Sequence, residues 1–391
     1  MTFSNRTSWH RQTNKLTQAL ELCKSQSKLI TDLTATNPTE GGFTYPAQEI
    51  LSAISTPQSL CYTPDPHGLR SAREAIAGYY KKKNISVNPE NIFLTASTSE
   101  AYSYIFKLLC NAGESVLVPQ PSYPLFEYLA QVNDVTLQSY RLLYDHGWHI
   151  DIDSLNHCSV ESLKAIIIVN PHNPTGMFLK QNEYEAIKQF ALEHHLALIV
   201  DEVFVDYNFD SQQEIISTAI ERDVLTFTLN GISKMCGLPQ MKLGWFVVSG
   251  GSLAENEAIE RLEILSDTFL SVNTPVQFAL PTLLEICSDV QMQIRNRIIS
   301  NYSFLESGLN RKSKITPLQC AGGWYAILRV PSIKSDEEWA IELLERCGVV
   351  VHPGYFFDFE QEGYLVVSLL VKETGFRAAI KEIITHIDAN A

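Results

Sequence analysis

The chain carries the sequence AIIIVNPHNPTG at residues 165–176. An apolar run made mostly of isoleucine and valine leads here into a turn rich in proline and asparagine. A continuous apolar run is typical of a strand that is covered on both faces. Asparagine, proline and glycine after such a run indicate that the chain turns there. The stretch therefore predicts a buried parallel strand with polar side chains at its carboxyl end.

Similar apolar runs lie on both sides of this stretch and alternate with helical patterns. We predict further strands at 92–95, 115–118, 196–200, 225–229 and 244–248, and helices at 99–111, 124–132 and 182–195. Strands that alternate with helices are typical of a sheet with helices on both faces. The pattern predicts an α/β fold with a doubly wound, mostly parallel sheet.

The C-terminal third has a different pattern, which predicts a smaller α+β domain. A helical pattern runs from about residue 255 to 309, and strand patterns at 322–330, 348–353 and 363–371 surround a helix at 335–346. The N-terminal forty-odd residues have too little periodicity to fold alone, so we expect them to pack on this domain. The prediction is a large domain at 46–280 and a small domain built from both chain ends, 1–45 and 281–391.

Composition excludes several classes of protein. The 391 residues are 45% apolar and 19% charged, which is typical of a soluble globular chain. No apolar stretch approaches the roughly 18 to 20 residues of a membrane helix. The net charge of −14 disfavours nucleic acid and anionic membranes as partners. The Lys81–Lys83 cluster is interpreted as a solvated helix end.

Short motifs exclude further classes. The eight cysteines are scattered without CxxC pairs, which favours reduced thiols in the cytoplasm over disulfides or a zinc site. No GxGxxG or GxxxxGK[ST] motif supports a nicotinamide dehydrogenase or a nucleotide hydrolase. The pair His194-His195 lacks ligand-type partners at helical spacing, so we expect no metal site.

Polar residues follow four of the predicted strands. They are Ser97, Thr98 and Ser99 after 92–95, the 170–176 turn after 165–169, Asp201 and Glu202 after 196–200, and Ser233 and Lys234 after 225–229. Taken singly, each is more simply a turn, a helix cap or a solvated side chain. Because parallel strands end at one edge of a sheet, their combination predicts a ligand site there.

Together these residues resemble the class I/II aminotransferases among the fold-type I pyridoxal-phosphate (PLP) enzymes. The most specific segments are NPHNPTG at 170–176, DEVF at 201–204 and SK at 233–234, supported by GLRSAREAIAGYY at 68–80 and PSYPLFEYLA at 121–130. The resemblance extends from about residue 37 to 368. It implies PLP as cofactor and a homodimer with shared active sites.

The resemblance assigns roles around the cofactor ring. Lys234 would hold the PLP aldehyde as a Schiff base and act as acid and base at the α-carbon of the substrate. Asp201 would keep the pyridine nitrogen protonated, and Asn173 would donate to the phenolic oxygen. Tyr123 would pack on the ring.

The resemblance also implies a phosphate site at a helix start, where free N–H groups meet the anion. Ser97, Thr98, Ser99 and Ser233 would contribute hydroxyl groups. Tyr62 would reach the phosphate of the neighbouring subunit.

The chain departs from the family pattern at four places. Ser97-Thr98 replace a glycine-containing turn, and Phe204 replaces a tyrosine that donates to the phenolic oxygen. Lys242 replaces an arginine that clamps the phosphate, which keeps the charge but loses bidentate geometry.

The fourth departure is Val367, which occupies the position of the arginine that binds the α-carboxylate of the substrate. A valine supplies none of that contact. Either another arginine replaces it, with Arg70, Arg141 and Arg329 as unranked candidates, or the substrate is not an ordinary α-amino acid.

The sequence thus predicts a PLP-dependent aminotransferase that moves an amino group between an amino acid, or a related amine, and a 2-oxo acid. The alternatives are a PLP-dependent decarboxylase, β-lyase or racemase, or a catalytically silent PLP-binding protein. Two aromatic segments belong either to the core or to the substrate pocket, namely Trp324-Tyr325 and Tyr355-Phe356-Phe357. The identity of the substrate is not predicted.

Overall fold

The fold is built around an eight-stranded sheet, seen in a computed structural model that describes residues 3–9, 11–210, 213, 215–308 and 313–391. The helices are α1 Lys15–Ser25, α2 Ala47–Ile54, α3 Arg70–Lys82, α4 Thr98–Leu109, α5 Phe126–Val132, α6 Gln181–Glu193, α7 Ile232–Met235, α8 Ser252–Phe269, α9 Thr274–Gly308, α10 Asp336–Cys347 and α11 Glu373–Asn390. The strands are β1 Thr31–Asp32, β2 Ile92–Thr95, β3 Ser115–Gln120, β4 Thr136–Tyr144, β5 Trp148–Ile150, β6 Leu163–Val169, β7 Ala197–Asp201, β8 Thr226–Gly231, β9 Gly244–Ser249, β10 Thr316–Pro317, β11 Tyr325–Arg329, β12 Val349–Val350, β13 His352–Pro353 and β14 Tyr364–Ser368.

The large sheet has the order β2-β9-β8-β7-β6-β3-β4-β5. Strands β8, β7, β6, β3 and β4 run parallel to one another, which confirms the predicted α/β fold with a largely parallel sheet. Strand β9 is antiparallel to both β2 and β8, so the sheet is mostly but not wholly parallel, as predicted. The connection from β8 to β9 contains the one-turn helix α7 instead of a crossover helix, so the chain returns beside β8.

The apolar run in β6 faces two cores at once. Ile166 and Ile168 pack with the side chains of α6 on one face of the sheet. Ala165, Ile167 and Val169 pack with those of α4, α5 and α8 on the other face. Because consecutive side chains point to opposite faces of a strand, burial on both faces requires the continuous apolar run.

A smaller antiparallel sheet of order β10-β11-β14-β13 packs against the second half of α9 and against α10 and α11. The N-terminal segment joins this core through Leu16 and Leu33, and β1 pairs with β12. The predicted boundary after residue 280 lies inside α9. Leu283 of α9 packs with α3 of the large domain, whereas Ile294 packs with α10 and α11 of the small domain. Helix α9 thus passes from one core to the other between these two residues.

The long helical pattern predicted from about residue 255 to 309 forms two helices. Helix α8 ends at Phe269, and Leu270 adopts a left-handed conformation with φ of 43°. Helix α9 then runs from Thr274, and residue 309 lies outside the described residues. No helix in the described part of the chain is both long and apolar enough to cross a membrane.

Candidate active site

A cavity of about 180 Å³ lies at the carboxyl ends of β7 and β8, beside the start of α4. Its wall combines residues of the large sheet with residues from both chain ends: Thr36, Ser97, Thr98, Tyr123, Phe126, Val169, Asn173, Asp201, Val203, Phe204, Gly231, Ser233, Lys234, Leu243, Gly244, Trp324 and Tyr325. A larger cavity of about 550 Å³ near His146 and Gln319 contains none of the predicted site residues. The smaller cavity is therefore the candidate active site.

Lys234 lies in α7, the single helical turn that follows β8. The Tyr207 hydroxyl donates a hydrogen bond of 2.6 Å to the Lys234 carbonyl oxygen, which fixes the backbone there. The Lys234 Nζ atom lies 4.9 Å from the ring centroid of Trp324 and 5.6 Å from that of Phe204. Burial lowers the pKa of the Lys234 amine, and the negative charge of Asp201 opposes that shift.

Asp201 is the last residue of β7, and both of its carboxylate oxygens accept a hydrogen bond. The Val203 N–H donates to Oδ1 at 3.1 Å, and the Tyr102 hydroxyl donates to Oδ2 at 3.2 Å. Burial raises the pKa of Asp201 to about 6, while these two donors and Lys234 oppose the rise. A buried carboxylate and a buried amine thus share one cavity, which is typical of a catalytic site.

The turn after β6 is held by its own side chains. Asn170 Oδ1 accepts from the Leu179 N–H at 3.0 Å, and Thr175 Oγ1 lies 2.9 Å from His172 Nδ1. Within this rigid turn the buried Asn173 Oδ1 atom has no hydrogen-bond partner among the described residues. Since buried polar atoms are nearly always satisfied, the Asn173 Oδ1 atom is available to a hydrogen-bond donor of a ligand.

The start of α4 forms another side of the cavity. Ser97 caps the helix by accepting from the Glu100 N–H at 3.2 Å, and Glu100 in turn accepts from the Ala96 N–H at 2.7 Å. A Cβ atom on Gly244 would lie only 3.3 Å from the Thr98 nitrogen, so glycine allows β9 to approach the helix start closely. The first N–H groups of a helix have no partner within the helix and attract anions.

The structure brings together most of the sequence-predicted site residues. Eight line the cavity, namely Ser97, Thr98, Tyr123, Asn173, Asp201, Phe204, Ser233 and Lys234. Three do not: Ser99, Lys242 and Tyr62. Lys242 is exposed and has a left-handed backbone with φ of 53°, and the Tyr62 side chain is 78% exposed on the surface of the chain.

The structure corrects the position at which the missing arginine was sought. Val367 packs with Ala326 of β11 and Ile380 of α11, in the core of the small domain. Because side chains alternate along β14, the residue that faces the large domain is its neighbour Val366, which packs with Ile327. An arginine at 367 would point into the small-domain core and away from the cavity.

None of the three candidate arginines lines the cavity. Arg70 lies beside Glu74 at 2.9 Å, and Arg141 lies beside Asp151 at 2.8 Å. Arg329 stacks on tyrosine rings outside the cavity and lines, together with Arg141, a separate groove of about 280 Å³. Among the described residues that line the cavity, Lys234 is the only cationic side chain.

Sequence reasoning missed several residues of the site. Thr36 and Val203 line the cavity, and Tyr102 contacts Asp201, but the sequence analysis gave none of them a role, although Val203 lies within the DEVF segment. Of the aromatic segments left open, Trp324 and Tyr325 line the cavity. The segment Tyr355-Phe356-Phe357 does not. The Gly322-Gly323 dipeptide before Trp324 indicates a turn and was a sequence signal that could have pointed to this part of the site.

The comparison with protein families agrees with this geometry. The model of the family "Aminotransferase class I and II" matches residues 28–383. The chain belongs to this family. The prediction of an aminotransferase is therefore confirmed, and aminotransferases of classes I and II depend on PLP.

Curated proteins and solved structures that are similar to this aminotransferase are also named as aminotransferases. The glutamate-pyruvate aminotransferase AlaA of Haemophilus influenzae is 27% identical over 363 residues, covering 90% of this chain and 89% of the relative. The alanine aminotransferase of Mycobacterium bovis is 26% identical over 371 residues, covering 92% and 86%. The solved alanine aminotransferase of Pyrococcus furiosus superposes with a TM-score of 0.90 at 24% identity, covering 99% of this chain and 100% of that one. The names of the two curated relatives favour transamination over the alternative PLP reactions.

Proposed function

We propose that this aminotransferase binds PLP in the cavity around Lys234 and transfers an amino group between an amino acid and a 2-oxo acid. The observation that carries the proposal is that Lys234 and Asp201 line the same buried cavity. The residues fit the cofactor chemically. Asp201 supplies a buried carboxylate for a cationic ring nitrogen, and Asn173, which lines the cavity, carries a side-chain N–H that can donate to a phenolic oxygen.

PLP, when bound, supplies an aldehyde that attaches amino groups and a ring that accepts electrons from the substrate α-carbon. Lys234 would attach the cofactor and move a proton at that carbon. Burial favours the neutral form of the Lys234 amine, which is the form that attacks an aldehyde. Asp201 would hold a proton on the ring nitrogen. Phe204 and Trp324 would exclude water from the amine.

The start of α4 fits the phosphate of the cofactor. Thr98 and Ser233 line the cavity beside it, and both can donate hydroxyl hydrogen bonds to an anion. Lys242 keeps its proposed role only if its exposed side chain turns towards this corner when phosphate binds. Replacing Lys242 by Ala should in that case weaken PLP binding.

We infer that the substrates are small amino acids and their 2-oxo acids, because the two curated relatives described above are named as an alanine and a glutamate-pyruvate aminotransferase. Purified PLP-loaded protein should be mixed in turn with alanine, glutamate, tyrosine and simple amines. Conversion of the cofactor to its amine form by an amino acid, with release of the 2-oxo acid, is the expected result. Release of CO2, racemisation or side-chain cleavage without oxo acid would contradict the proposal.

The attachment point has its own test. Borohydride reduction of the loaded protein should fix the cofactor on the peptide that contains Lys234, as read by mass spectrometry. Lys234→Ala should abolish turnover but still bind PLP noncovalently. Lys180→Ala, at an exposed lysine outside the cavity, is the matched control and should behave like the unsubstituted protein. A protein that never takes up PLP would refute the assignment.

We propose a homodimer in which Tyr62 completes the phosphate site of the partner subunit. The exposed side chains of Leu60 and Tyr62 provide an apolar surface for such a contact. Coexpression of Lys234→Ala with Tyr62→Ala should yield mixed dimers that have one intact site and regain activity. Failure to regain activity in dimers that demonstrably mix would exclude shared sites.

The eight unpaired cysteines are consistent with a cytoplasmic protein.

A further inference from the structure

Tyr102 contacts the Asp201 carboxylate from behind the cavity wall. Its hydroxyl donates to Asp201 Oδ2 at 3.2 Å, and its side chain is buried. The Tyr102 ring packs edge-to-face on Phe126, with centroids 5.3 Å apart, and lies 6.0 Å from the ring of Phe106. Because the ring is held on two sides, its hydroxyl has a fixed position relative to the carboxylate.

The electrostatics of this pair allow only one direction of hydrogen bonding. Burial and the charge of Asp201 hold the pKa of Tyr102 well above its usual range, so the phenol stays protonated and donates. At Asp201, burial favours the neutral acid, and the Tyr102 hydroxyl favours the carboxylate. The Val203 N–H already occupies the other oxygen. Tyr102 is thus the side-chain donor that helps this buried acid to ionise.

Tyr102 also belongs to the helix that begins at the cavity. Thr98, the first residue of α4, lines the cavity, and Tyr102 follows it four residues later on the same face of the helix. One rigid element therefore contributes the anion-binding helix start and the donor to Asp201. A shift of α4 would disturb both together.

We propose that Tyr102 is a positioning residue that keeps the Asp201 carboxylate ionised, so that it can hold a proton on the ring nitrogen of the cofactor. This inference rests on the proposed function, because it requires PLP in the cavity. Tyr102 does not line the cavity itself and acts through Asp201. The proposal therefore concerns how firmly the cofactor is held and how its charge is distributed.

The test uses Tyr102→Phe in the full chain and measures two properties of PLP binding. The dissociation constant should rise about tenfold, as expected for losing one hydrogen bond to a charged group. The pH midpoint of the absorption change of the Lys234-bound cofactor should rise by about one unit. The positive charge on the ring disfavours protonation of the Lys234 nitrogen that carries the cofactor. When that charge is weaker, this nitrogen binds a proton more readily, and the midpoint rises.

Tyr140→Phe is the matched control, because it removes another buried tyrosine hydroxyl, which donates to the Ile167 carbonyl at 3.0 Å outside the cavity. It should leave both measurements unchanged. In an Asp201→Asn background, Tyr102→Phe should add no further effect if it acts through the carboxylate. 3-Fluorotyrosine at position 102 keeps the ring and strengthens the donor, so it should lower the midpoint even if the phenylalanine variant does not fold.

The outcomes separate the two proposals. Unchanged affinity and midpoint in a folded Tyr102→Phe variant, or a fluorotyrosine midpoint that does not fall, would overturn the role of Tyr102 while PLP binding stands. An equal effect of Tyr102→Phe with and without the Asp201 carboxylate would also overturn it. An unsubstituted chain that binds no PLP would refute the proposed function and this inference together.

Discussion

The Nζ atom of Lys234 lies 4.9 Å from the centre of the Trp324 indole ring. Trp324 precedes β11 of the small domain, whereas Lys234 follows β8 of the large sheet, so the contact joins two parts of the fold. Trp324 is only 1% exposed, and its ring also meets Phe204 and Tyr207 edge-to-face. The indole thus covers one side of the amine and contributes to the burial that lowers the Lys234 pKa.

Trp324→Ala should therefore raise the Lys234 pKa, because water would enter beside the amine and stabilise its charged form. The pH dependence of the rate at which the cofactor-free protein attaches PLP should shift to higher pH. The substitution should also destabilise the fold by about 3–5 kcal/mol, as for other buried aromatic side chains. Trp339→Ala, which empties the core of the small domain, should cost similar stability without moving the rate profile. An identical shift in both variants would contradict this explanation.

Asp201→Asn should stabilise the cofactor-free chain at pH 8. The pKa of Asp201 is about 6 in the folded chain against 3.8 when unperturbed, so this acid contributes stability below about pH 4 that is lost as the pH rises through 6. The pKa shift corresponds to about 3 kcal/mol of stability at pH 8. The net gain of the Asn variant is smaller, because its hydrogen bonds with Tyr102 and Val203 are weaker than those of the carboxylate. Thermal melting from pH 5 to pH 8 should show a gain that shrinks towards pH 5.

Glu202→Gln is the control for that measurement. Burial raises the pKa of Glu202 to about 7, and its side chain does not line the cavity. The Gln variant should thus gain stability at pH 8 in the same way but bind PLP normally, whereas Asp201→Asn should bind it weakly. A stabilised Asp201→Asn that keeps full affinity would show that the carboxylate does not serve the cofactor.

Arg329→Gln and Arg141→Gln should leave the KM for amino acids within about twofold of the unsubstituted value, since surface contacts of this kind carry little energy. Both arginines line a groove separate from the Lys234 cavity. Asn173→Ala should instead raise the PLP concentration needed for half-maximal rate, because it removes the amide proposed to donate to the phenolic oxygen of the cofactor. Steady-state kinetics with two amino donors would check this. A tenfold rise in KM for either arginine variant would place the substrate carboxylate outside the cavity described here.

The parts of the site that the sequence could predict are those set by local order along the chain. Asn173, Asp201 and Lys234 follow apolar runs, and parallel strands bring such residues to one edge of the sheet. Trp324 and Tyr102 could not be assigned, because their contacts with Lys234 and Asp201 depend on packing between distant segments.

The direction of individual strands and the face to which a side chain points could not be predicted, for related reasons. An apolar run such as β9 reads the same in either direction, so its antiparallel pairing depends on the connection before it. Val367 and Val366 are both buried valines in β14, and only the register with β11 decides which of them faces the large domain. Lys242 was assigned to the phosphate through the family resemblance, whereas its side chain is exposed and its backbone is left-handed.

Phe204→Tyr should lower the pH midpoint of the Lys234-bound cofactor absorption by about one unit, because it adds a hydrogen-bond donor beside that attachment. The centroid of the Phe204 ring lies 5.6 Å from Lys234 Nζ and the ring lines the cavity, so a hydroxyl there would add a donor to the one proposed for Asn173. Without cofactor, the buried hydroxyl should cost about 1 kcal/mol of stability. Phe227→Tyr, in the core behind the sheet, should show at least that loss and no spectral shift. A midpoint that stays in place in the Phe204 variant would mean that the phenylalanine does not tune the cofactor.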